Sequence, residues 1–245
     1  MAEFKTEPLG KFTITVSDDH TFGTDAVLLA DFAARHVSKL ACDLGTGCGI
    51  IPLLLLKSDR ANRVFGVEIQ KEGAALAALN AEKNGITDKL SALCLDLKEV
   101  KGNLPQSAFD LVTCNPPYNA EGSGNKNENG AKKIARHETM CSFSDVVSAA
   151  KYLLKYGGRF CVCNRPERLG DMICEMRLLG IEPKVLREVI QRKGRAAWLV
   201  LLEGKVGAKP GMEIMPPLFV EENGELSDEM MQIYGDYKDG KSRNI

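Results

Sequence analysis

Hydrophobic and polar positions change period repeatedly along this chain. Lys11 to Val16 alternates polar and apolar residues, which predicts a hairpin or an edge strand. Thr24 to His36 carries apolar residues at helical spacing and predicts a helix that Thr24 or Asp25 could cap. Beyond it, short apolar runs alternate with segments of helical spacing. This rhythm is typical of βαβ units with a parallel sheet.

Seven short apolar runs are predicted as core strands, with helical segments between most of them. The strands cover Leu40 to Leu44, Arg63 to Glu68, Leu90 to Cys94, Phe109 to Cys114, Arg159 to Cys163, Lys184 to Val189 and Ala196 to Leu202. The helices cover Ile50 to Ser58, Lys71 to Asn84, Phe143 to Lys155 and Glu167 to Leu179. A short polar turn before the last strand suits an antiparallel hairpin. We therefore expect an α/β fold with a mainly parallel seven-stranded sheet, an antiparallel last strand and helices on both faces.

A chain of 245 residues with 44% hydrophobic content can bury a core without disulfides and fits one domain. We expect that domain to span 1–245, with a short strand and helix extension at 1–38 and a mixed tail at 204–245. Asn119 to Ala131 is predicted as a surface loop. The apolar stretches are too short to cross a bilayer and the opening MAEFKTEPLG lacks a signal-peptide core, so we expect a soluble, cytoplasmic protein without a membrane partner.

Composition narrows the chemistry further. The eight cysteines form no C-x-x-C pair and the three histidines lie far apart, so we expect neither a disulfide framework nor a metal site. Five cysteines fall in predicted strands and are expected to be small buried residues: Cys42, Cys94, Cys114, Cys161 and Cys163. The net charge of −1 creates no global field that attracts nucleic acid, so an RNA site must be a local patch. Nothing in the sequence indicates an oligomeric state.

A glycine-rich run follows the first core strand directly. It reads C-D-L-G-T-G-C-G, with Asp43 ahead of Gly45, Gly47 and Gly49. In a parallel sheet this position borders a crevice at the carboxyl edge, and glycines let a ligand approach the backbone. A dinucleotide site has the pattern G-x-G-x-x-G and holds a pyrophosphate. An aspartate beside the pocket instead suits a cationic ligand.

An acidic residue at the end of the second strand points to a nucleoside. Glu68 stands 19 residues after Gly49, where a carboxylate can accept hydrogen bonds from a ribose diol. A tight turn with an incidental acid is the alternative. The glycine run and Glu68 together resemble motif I and the ribose-binding acid of class I S-adenosylmethionine-dependent methyltransferases. The resemblance implies a Rossmann-like methyltransferase fold and S-adenosyl-L-methionine as the cofactor.

The same resemblance implies further cofactor contacts. Ile69 would pack on one face of the adenine, and Asp96 would bind the adenine amine with Leu97 beside it. The segment from Phe22 to Asp25, which includes Thr24, would close the methionine end of the pocket. For the polar residues an ordinary cap is the alternative. The implied cofactor-binding set is Asp43, Gly45, Gly47, Gly49, Glu68, Ile69, Asp96, Leu97, Asn115 and Thr24.

The tetrapeptide N-P-P-Y follows the apolar strand that ends at Cys114, and its two prolines make it stiff and extended. An amino group conjugated to a ring or carbonyl is a poor nucleophile. The Asn115 carboxamide oxygen and the Pro116 carbonyl can each accept one of its N–H bonds, which turns its lone pair towards the sulfonium without a strong general base. Alone, the segment could be a turn that ends a strand. With the glycine run it resembles motif IV of amino-methyltransferases, which implies the catalytic residues Asn115, Pro116, Pro117 and Tyr118, the last as a stacking face.

The acceptor is indicated by a longer resemblance. F-G-T-D-A-V-L-L-A from Phe22 to Ala30, together with motif I, Glu68 and N-P-P-Y, resembles the YfiC-like bacterial tRNA (adenine-N6)-methyltransferases over nearly the whole chain. This implies tRNA as the partner and methylation of adenine-37 next to the anticodon of a valine tRNA. The rivals are HemK-like protein glutamine N5-methyltransferases and rRNA guanine-N2 methyltransferases. HemK-like enzymes carry a helical domain before motif I, for which we expect the 42 residues before Asp43 to be too few. A binding scaffold without catalysis is a third alternative.

Two groups of basic residues could contact RNA phosphates. Lys132, Lys133 and Arg136 follow the predicted loop, and Arg192, Lys193 and Arg195, with Arg187, lie at the turn before the last strand. A solvated polar turn is the alternative for both. His137 is interpreted as a loop residue and not as a base. A target adenine turned out of a tRNA loop would stack in the N-P-P-Y pocket.

Overall fold

The computed structural model describes residues 4–116 and 141–235. Several predicted features lie outside the described residues. They are Pro117 and Tyr118 of the N-P-P-Y segment, the predicted loop from Asn119 to Ala131, and Lys132, Lys133, Arg136 and His137.

A hairpin of its own begins the described chain. β1 (Phe4–Leu9) pairs with the antiparallel β2 (Phe12–Ser17), and Gly10 between them has a φ of 64°. Asn80 attaches the hairpin to the rest of the fold, because its side chain accepts from the Thr15 N–H at 2.7 Å and donates to the Thr15 carbonyl at 2.9 Å. The alternation in this region therefore forms a hairpin outside the main sheet.

In the described part of the chain the main sheet has nine strands, and the five that come first in the sequence run parallel to one another. They are β3 (Ser38–Leu44), β4 (Ala61–Glu68), β5 (Leu90–Cys94), β6 (Phe109–Cys114) and β7 (Leu154–Asn164). β9 (Ala197–Val206) lies antiparallel between β7 and β8 (Ile181–Ile190), giving the core order β5-β4-β3-β6-β7-β9-β8. The predicted seven-stranded core with an antiparallel last strand is confirmed.

Helices cover both faces of this sheet because apolar side chains of the strands alternate between the two faces. α1 (Thr24–Ala33), α2 (Ile50–Lys57) and α3 (Lys71–Lys83) pack on one face. α4 (Phe143–Leu153) and α5 (Leu169–Leu178) pack on the other, and two short 3-10 segments lie at Leu97–Glu99 and Pro166–Arg168.

Two local predictions are wrong. α1 has Gly23 at its N-cap, and no side chain caps it, so neither Thr24 nor Asp25 has that role. α4 ends at Leu153 and β7 starts at Leu154, earlier than predicted, because Leu154 already pairs with Phe109 of β6. Gly157 and Gly158, which follow the predicted end of the helix, therefore lie inside β7.

The predicted tail is folded as far as it is described. β10 (Glu213–Ile214) and β11 (Leu218–Phe219) add to the sheet beside β8, and β12 (Glu221–Glu222) forms a hairpin with β13 (Glu225–Leu226). α6 (Asp228–Tyr234) follows, capped by the Ser227 side chain. Its buried residues Met230 and Tyr234 join the core that contains α1.

The structure tests the predictions about the cysteines, a metal site and membrane-spanning segments. All eight cysteines are described and none of them forms a disulfide. Of the five expected to be buried, Cys94 is exposed because β5 is the edge of the sheet, and the other four are buried. Within 4–116 and 141–235, no cluster of His, Cys, Asp or Glu could hold a metal ion. No helix in those ranges is long and apolar enough to span a membrane.

Candidate active site

The predicted site residues meet at the carboxyl edge of the parallel strands. Asp43 lies near the end of β3, Glu68 ends β4 and Asn115 directly follows β6. β4 and β6 flank β3, so these three strand ends are neighbours. The order of the strands thus brings together residues that are up to 72 positions apart in the sequence.

The glycine run forms a turn with left-handed backbone between β3 and α2. Gly45, Gly47 and Gly49 have φ values of 75°, 53° and 85°, a region that side chains with a Cβ rarely adopt. A Cβ added at Gly45 or Gly47 would meet no atom within 4 Å, so the described chain leaves open space in front of both. A Cβ at Gly49 would lie 3.2 Å from the Ala77 Cβ. The first two glycines therefore border a space for a ligand, while the third also serves helix packing.

Asp43 is a buried carboxyl group beneath this turn. Its side chain accepts a hydrogen bond from Thr113 Oγ1 at 2.6 Å through Oδ1. Within the part of the chain that the structure describes, Oδ2 is buried without a hydrogen-bond partner, and so is the hydroxyl of Thr46, although Thr46 is close enough to lower the pKa of Asp43. Burial dominates and raises the pKa of Asp43 to about 7. An unsatisfied buried oxygen of this kind marks a position where a cationic or hydrogen-donating ligand would be stabilised.

Glu68 connects the glycine turn to the end of β4. Its Oε2 accepts from the Gly47 N–H at 2.9 Å and its Oε1 from the Gln70 N–H at 2.8 Å. Each carboxylate oxygen keeps a second acceptor direction, so these contacts are compatible with binding a diol. Sequence reasoning missed Gly73 of α3, where a Cβ would lie 3.0 Å from the Glu68 Cγ and 3.1 Å from the His20 Cε1. Gly73 leaves room for both side chains.

The other predicted cofactor residues are arranged along the same edge. Ile69 follows Glu68 and is 39% exposed, which is unusual for an isoleucine and gives it a free apolar face. Asp96 caps the 3-10 segment that begins at Leu97, since its Oδ1 accepts from the Lys98 N–H at 2.9 Å. The Thr24 hydroxyl is 2.8 Å from the Tyr234 hydroxyl. The cap interpretation of Asp96 therefore describes its present contact, and its adenine contact stays a prediction.

Asn115 is held by residues of two other elements. Its Nδ2 donates to Asp25 Oδ2 of α1 at 3.0 Å, and its Oδ1 accepts from Cys163 Sγ of β7 at 3.1 Å. The register explains the second contact, because Cys114 pairs with Val162 and the next residues, Asn115 and Cys163, are adjacent. Both partners were missed as neighbours of Asn115, although the start of α1 and the end of β7 were each placed by the sequence.

The basic residues that were predicted near the last strand lie in two different environments. Arg192, Lys193 and Arg195 are exposed in the turn between β8 and β9, which lies at the carboxyl edge because β9 runs antiparallel to β7. Arg187 lies inside β8, its side chain is 11% exposed and it pairs with Glu229 at 2.7 Å, so its assignment to that turn is wrong. Exposed Arg165, directly after β7, is at the same edge and was missed.

The sheet order, the helices on both faces and the glycine turn define a Rossmann-like class I methyltransferase fold. Solved structures share it. A protein described as a predicted O-methyltransferase from Agrobacterium tumefaciens superimposes with a TM-score of 0.70 at 21% identity, covering 91% of this chain and all of that one. A 16S rRNA N2 methyltransferase of T. thermophilus, in complex with AdoMet and guanosine, superimposes with a TM-score of 0.55 at 18% identity over 84% of this chain and 50% of that one. At these identities the likeness concerns the fold alone.

The profile of the methyltransferase small domain family matches residues 14–175, about two thirds of the chain, and the chain belongs to that family. Three relatives share the name tRNA1(Val) (adenine(37)-N6)-methyltransferase. The one from Proteus mirabilis is 28% identical over 63% of this chain and 60% of its own length. The one from Flavobacterium psychrophilum is 31% identical over 56% and 57%, and the one from Photorhabdus laumondii is 27% identical over 88% and 87%. The chain thus spans less than two thirds of the first two relatives and most of the third.

Proposed function

We propose that this protein is an S-adenosylmethionine-dependent methyltransferase that methylates N6 of an adenine in tRNA, at adenine-37 next to the anticodon of a valine tRNA. The observation that carries the proposal is the position of the Asn115 carboxamide at the carboxyl edge, beside the glycine turn and Glu68. The names of the relatives support the same acceptor. Methylation of tRNA implies that the protein is located in the cytoplasm. We further propose that residues 1–245 act as one domain.

The crevice fits a cationic nucleoside cofactor. When bound, S-adenosylmethionine supplies an electrophilic methyl group on a positively charged sulfur. The buried Asp43 would favour the positive charge, and the open backbone at Gly45 and Gly47 would let the ligand approach. Glu68 would accept from the ribose hydroxyls. Ile69 and Leu97 would cover the adenine, Asp96 would accept from its amine, and Thr24 and Gly49 would border the pocket.

Asn115 and Pro116 would orient the acceptor. The adenine amine is planar because its lone pair is delocalised into the ring, so it attacks only after it pyramidalises. Asn115 Oδ1 and the Pro116 carbonyl would each accept one N–H bond, and the lone pair would then face the methyl group. Pro117 would keep the segment rigid and Tyr118 would stack on the base. The proton leaves after the nitrogen has become cationic, so the site needs no strong base.

RNA phosphates would meet the basic residues around this edge. Arg192, Lys193 and Arg195 are exposed there, and Lys132, Lys133 and Arg136 follow the N-P-P-Y segment in the sequence. Replacing one of the exposed residues of the turn should weaken tRNA binding uniformly and reduce its salt dependence. Such a variant should leave cofactor affinity unchanged.

The test is a labelling experiment with the purified full chain. Isotopically labelled S-adenosylmethionine is incubated with unmodified bulk tRNA, with ribosomal RNA or with a release factor, and the labelled nucleoside or amino acid is identified by mass spectrometry. N6-methyladenosine from tRNA is the expected product. Label in N2-methylguanosine would change the base, and label on glutamine would place the protein with the HemK-like enzymes. No cofactor binding at all would leave a scaffold and overturn the proposal.

A further inference from the structure

Two neighbours of Asn115 bear on the direction in which its carboxamide faces. Nδ2 points at the Asp25 carboxylate and Oδ1 at the Cys163 thiol. A carboxylate accepts only, whereas a thiol can donate its S–H. Exchanging the amide nitrogen and oxygen would therefore set two acceptors, Oδ1 and Asp25 Oδ2, against each other at about 3 Å. The Asp25 carboxylate therefore favours the observed orientation, and the Cys163 thiol is compatible with it.

We propose that Asp25 is a positioning residue for methyl transfer, because it fixes the Asn115 carboxamide with Oδ1 available to the acceptor amine. The inference rests on the proposed function, in which Oδ1 must accept an N–H bond. In the flipped orientation the amide would present its own N–H groups to the amine, and donors would face donors. Asp25 thus selects the orientation that orients the substrate and excludes the one that repels it.

Asp25 is itself held in place. Its Oδ1 accepts from the Ala26 N–H at 2.9 Å, so each of its two oxygens has a separate task. Gly23 leaves the necessary room, because a Cβ there would lie 2.5 Å from Asp25 Oδ1. The preceding residue, Thr24, is bonded to Tyr234 of α6 at 2.8 Å. The start of α1 is therefore anchored by the folded tail, and Asn115 is anchored by α1.

A negative charge beside Nδ2 also polarises the amide. A charge-assisted hydrogen bond on the N–H side strengthens the carbonyl oxygen as an acceptor, because hydrogen bonds in a chain polarise one another. Asp25 would therefore act on both the direction and the strength of the Oδ1 contact. A neutral carboxamide at position 25 has neither effect, since it can pair with Asn115 in either orientation.

The experiment compares Asp25→Asn with wild type in cofactor titrations and steady-state kinetics. We expect kcat to fall by about 10–100-fold, somewhat less than the loss of a direct transition-state contact, with KM for tRNA and the cofactor Kd within about twofold. Asp88→Asn is the matched control, because Asp88 is exposed and precedes β5 at the opposite edge of the sheet. It should leave all three constants unchanged.

A double-mutant cycle separates positioning from general damage. If Asp25 acts through Asn115, Asp25→Asn should lower kcat by no more than about twofold in an Asn115→Ala background. A full second loss there would overturn the proposal. So would an unchanged kcat in the single variant. A cofactor Kd raised more than about tenfold with kcat retained would assign Asp25 to the methionine end of the pocket.

A measurement that needs no methyl acceptor separates the test of Asp25 from the test of the proposed function. The side-chain amide resonances of Asn115 are identified in ¹⁵N-labelled protein by their loss in Asn115→Ala. They should shift in Asp25→Asn and stay in place in Asp88→Asn, and no shift would refute the contact. If wild type labels an acceptor other than tRNA, the kinetics are repeated on that acceptor. Should Asp25→Asn not fold, Asp25→Ser, which retains an oxygen for the Ala26 N–H, replaces it with the same expected outcomes.

Discussion

Asp43 makes the stability of this protein depend on pH in an unusual direction. Burial raises the pKa of Asp43 from 3.8 to about 7 in the folded chain. Between these values the folded state binds a proton that the unfolded state has released. Stability is therefore highest when the carboxyl is protonated and falls as the pH rises towards 7. A shift of about 3 pKa units, at about 1.36 kcal/mol each, corresponds to about 4 kcal/mol over the whole window.

Asp43→Asn removes this titration and keeps the side-chain shape and the acceptor for Thr113. About two of the three pKa units of the shift lie between pH 5 and pH 7. The free energy of unfolding of the variant, relative to that of wild type, should therefore rise by about 3 kcal/mol from pH 5 to pH 8. The cost of burying the amide N–H groups does not depend on pH and cancels in that difference. The assay is urea denaturation of both proteins without cofactor at pH 5, 6, 7 and 8.

Asp110→Asn provides a control whose stability relative to wild type should stay constant from pH 5 to pH 8, because the pKa of Asp110 is shifted in the opposite direction and titrates below this range. Burial pulls the pKa of Asp110 upward, but hydrogen bonds from Lys155 and from the Leu40 and Lys39 N–H groups outweigh it, so this pKa is lowered. The contribution of Asp110 is present above the unfolded pKa and is lost as the pH falls. For Asp43, a stability difference that stays constant within about 1 kcal/mol from pH 5 to pH 8 would refute the reasoning.

Three other substitutions test single contacts. Glu203→Ala should destabilise the fold by about 3–5 kcal/mol, because the buried carboxylate pairs with Arg35 at 2.6 Å and Arg159 at 3.4 Å. Glu182→Ala, which removes a more exposed ion pair, should cost about 0–1 kcal/mol in the same urea titration. Equal losses would contradict this. Glu68→Ala should weaken S-adenosylmethionine binding by about 10–100-fold in calorimetry, since hydrogen bonds to a charged group contribute about 1.5–3 kcal/mol, and an unchanged Kd would remove the ribose assignment. Tyr234→Phe should destabilise the fold by about 1 kcal/mol, because it loses the contact with Thr24. Tyr156→Phe is the control and should cause no measurable change, since Tyr156 is 81% exposed. A larger loss of stability in Tyr156→Phe than in Tyr234→Phe would argue against a tail that anchors α1.

The sequence predicted those parts of the site that depend on strand ends. Asp43, Glu68 and Asn115 each follow a clear apolar run, and parallel topology places all such ends at one edge. Contacts that depend on helix placement were not predictable in this way. Asp25 and Asn115 are 90 residues apart, and Thr24 and Tyr234 are 210 apart, so neither pair has a local signal. They arise only once α1 and α6 are packed on the same face.

The local errors have equally physical causes. Leu154 and Lys155 continue the helical pattern of α4, but pairing with β6 draws Leu154 into a strand. Arg187 is five residues before the basic residues Arg192, Lys193 and Arg195 in the sequence, but it lies in β8 and pairs with Glu229 of α6. In both cases a tertiary contact overrides what the neighbouring residues indicate.

The electrostatics of the crevice suit the two ligands of opposite charge that the proposed function assigns to this nearly neutral protein. Asp43 and Glu68 place two acidic side chains at the glycine turn, Asp25 lies beside Asn115 at the same edge of the sheet, and each of the three accepts a hydrogen bond. Such a cluster favours a cationic donor and disfavours phosphates close to it. Under the proposed function, the phosphates of an RNA acceptor would therefore be bound outside the crevice, near the exposed Arg192, Lys193 and Arg195, and the uncharged base would enter it. If S-adenosylmethionine binding depends on this cluster, wild-type affinity should rise with pH through the pKa of Asp43, and the affinity of Asp43→Asn should not.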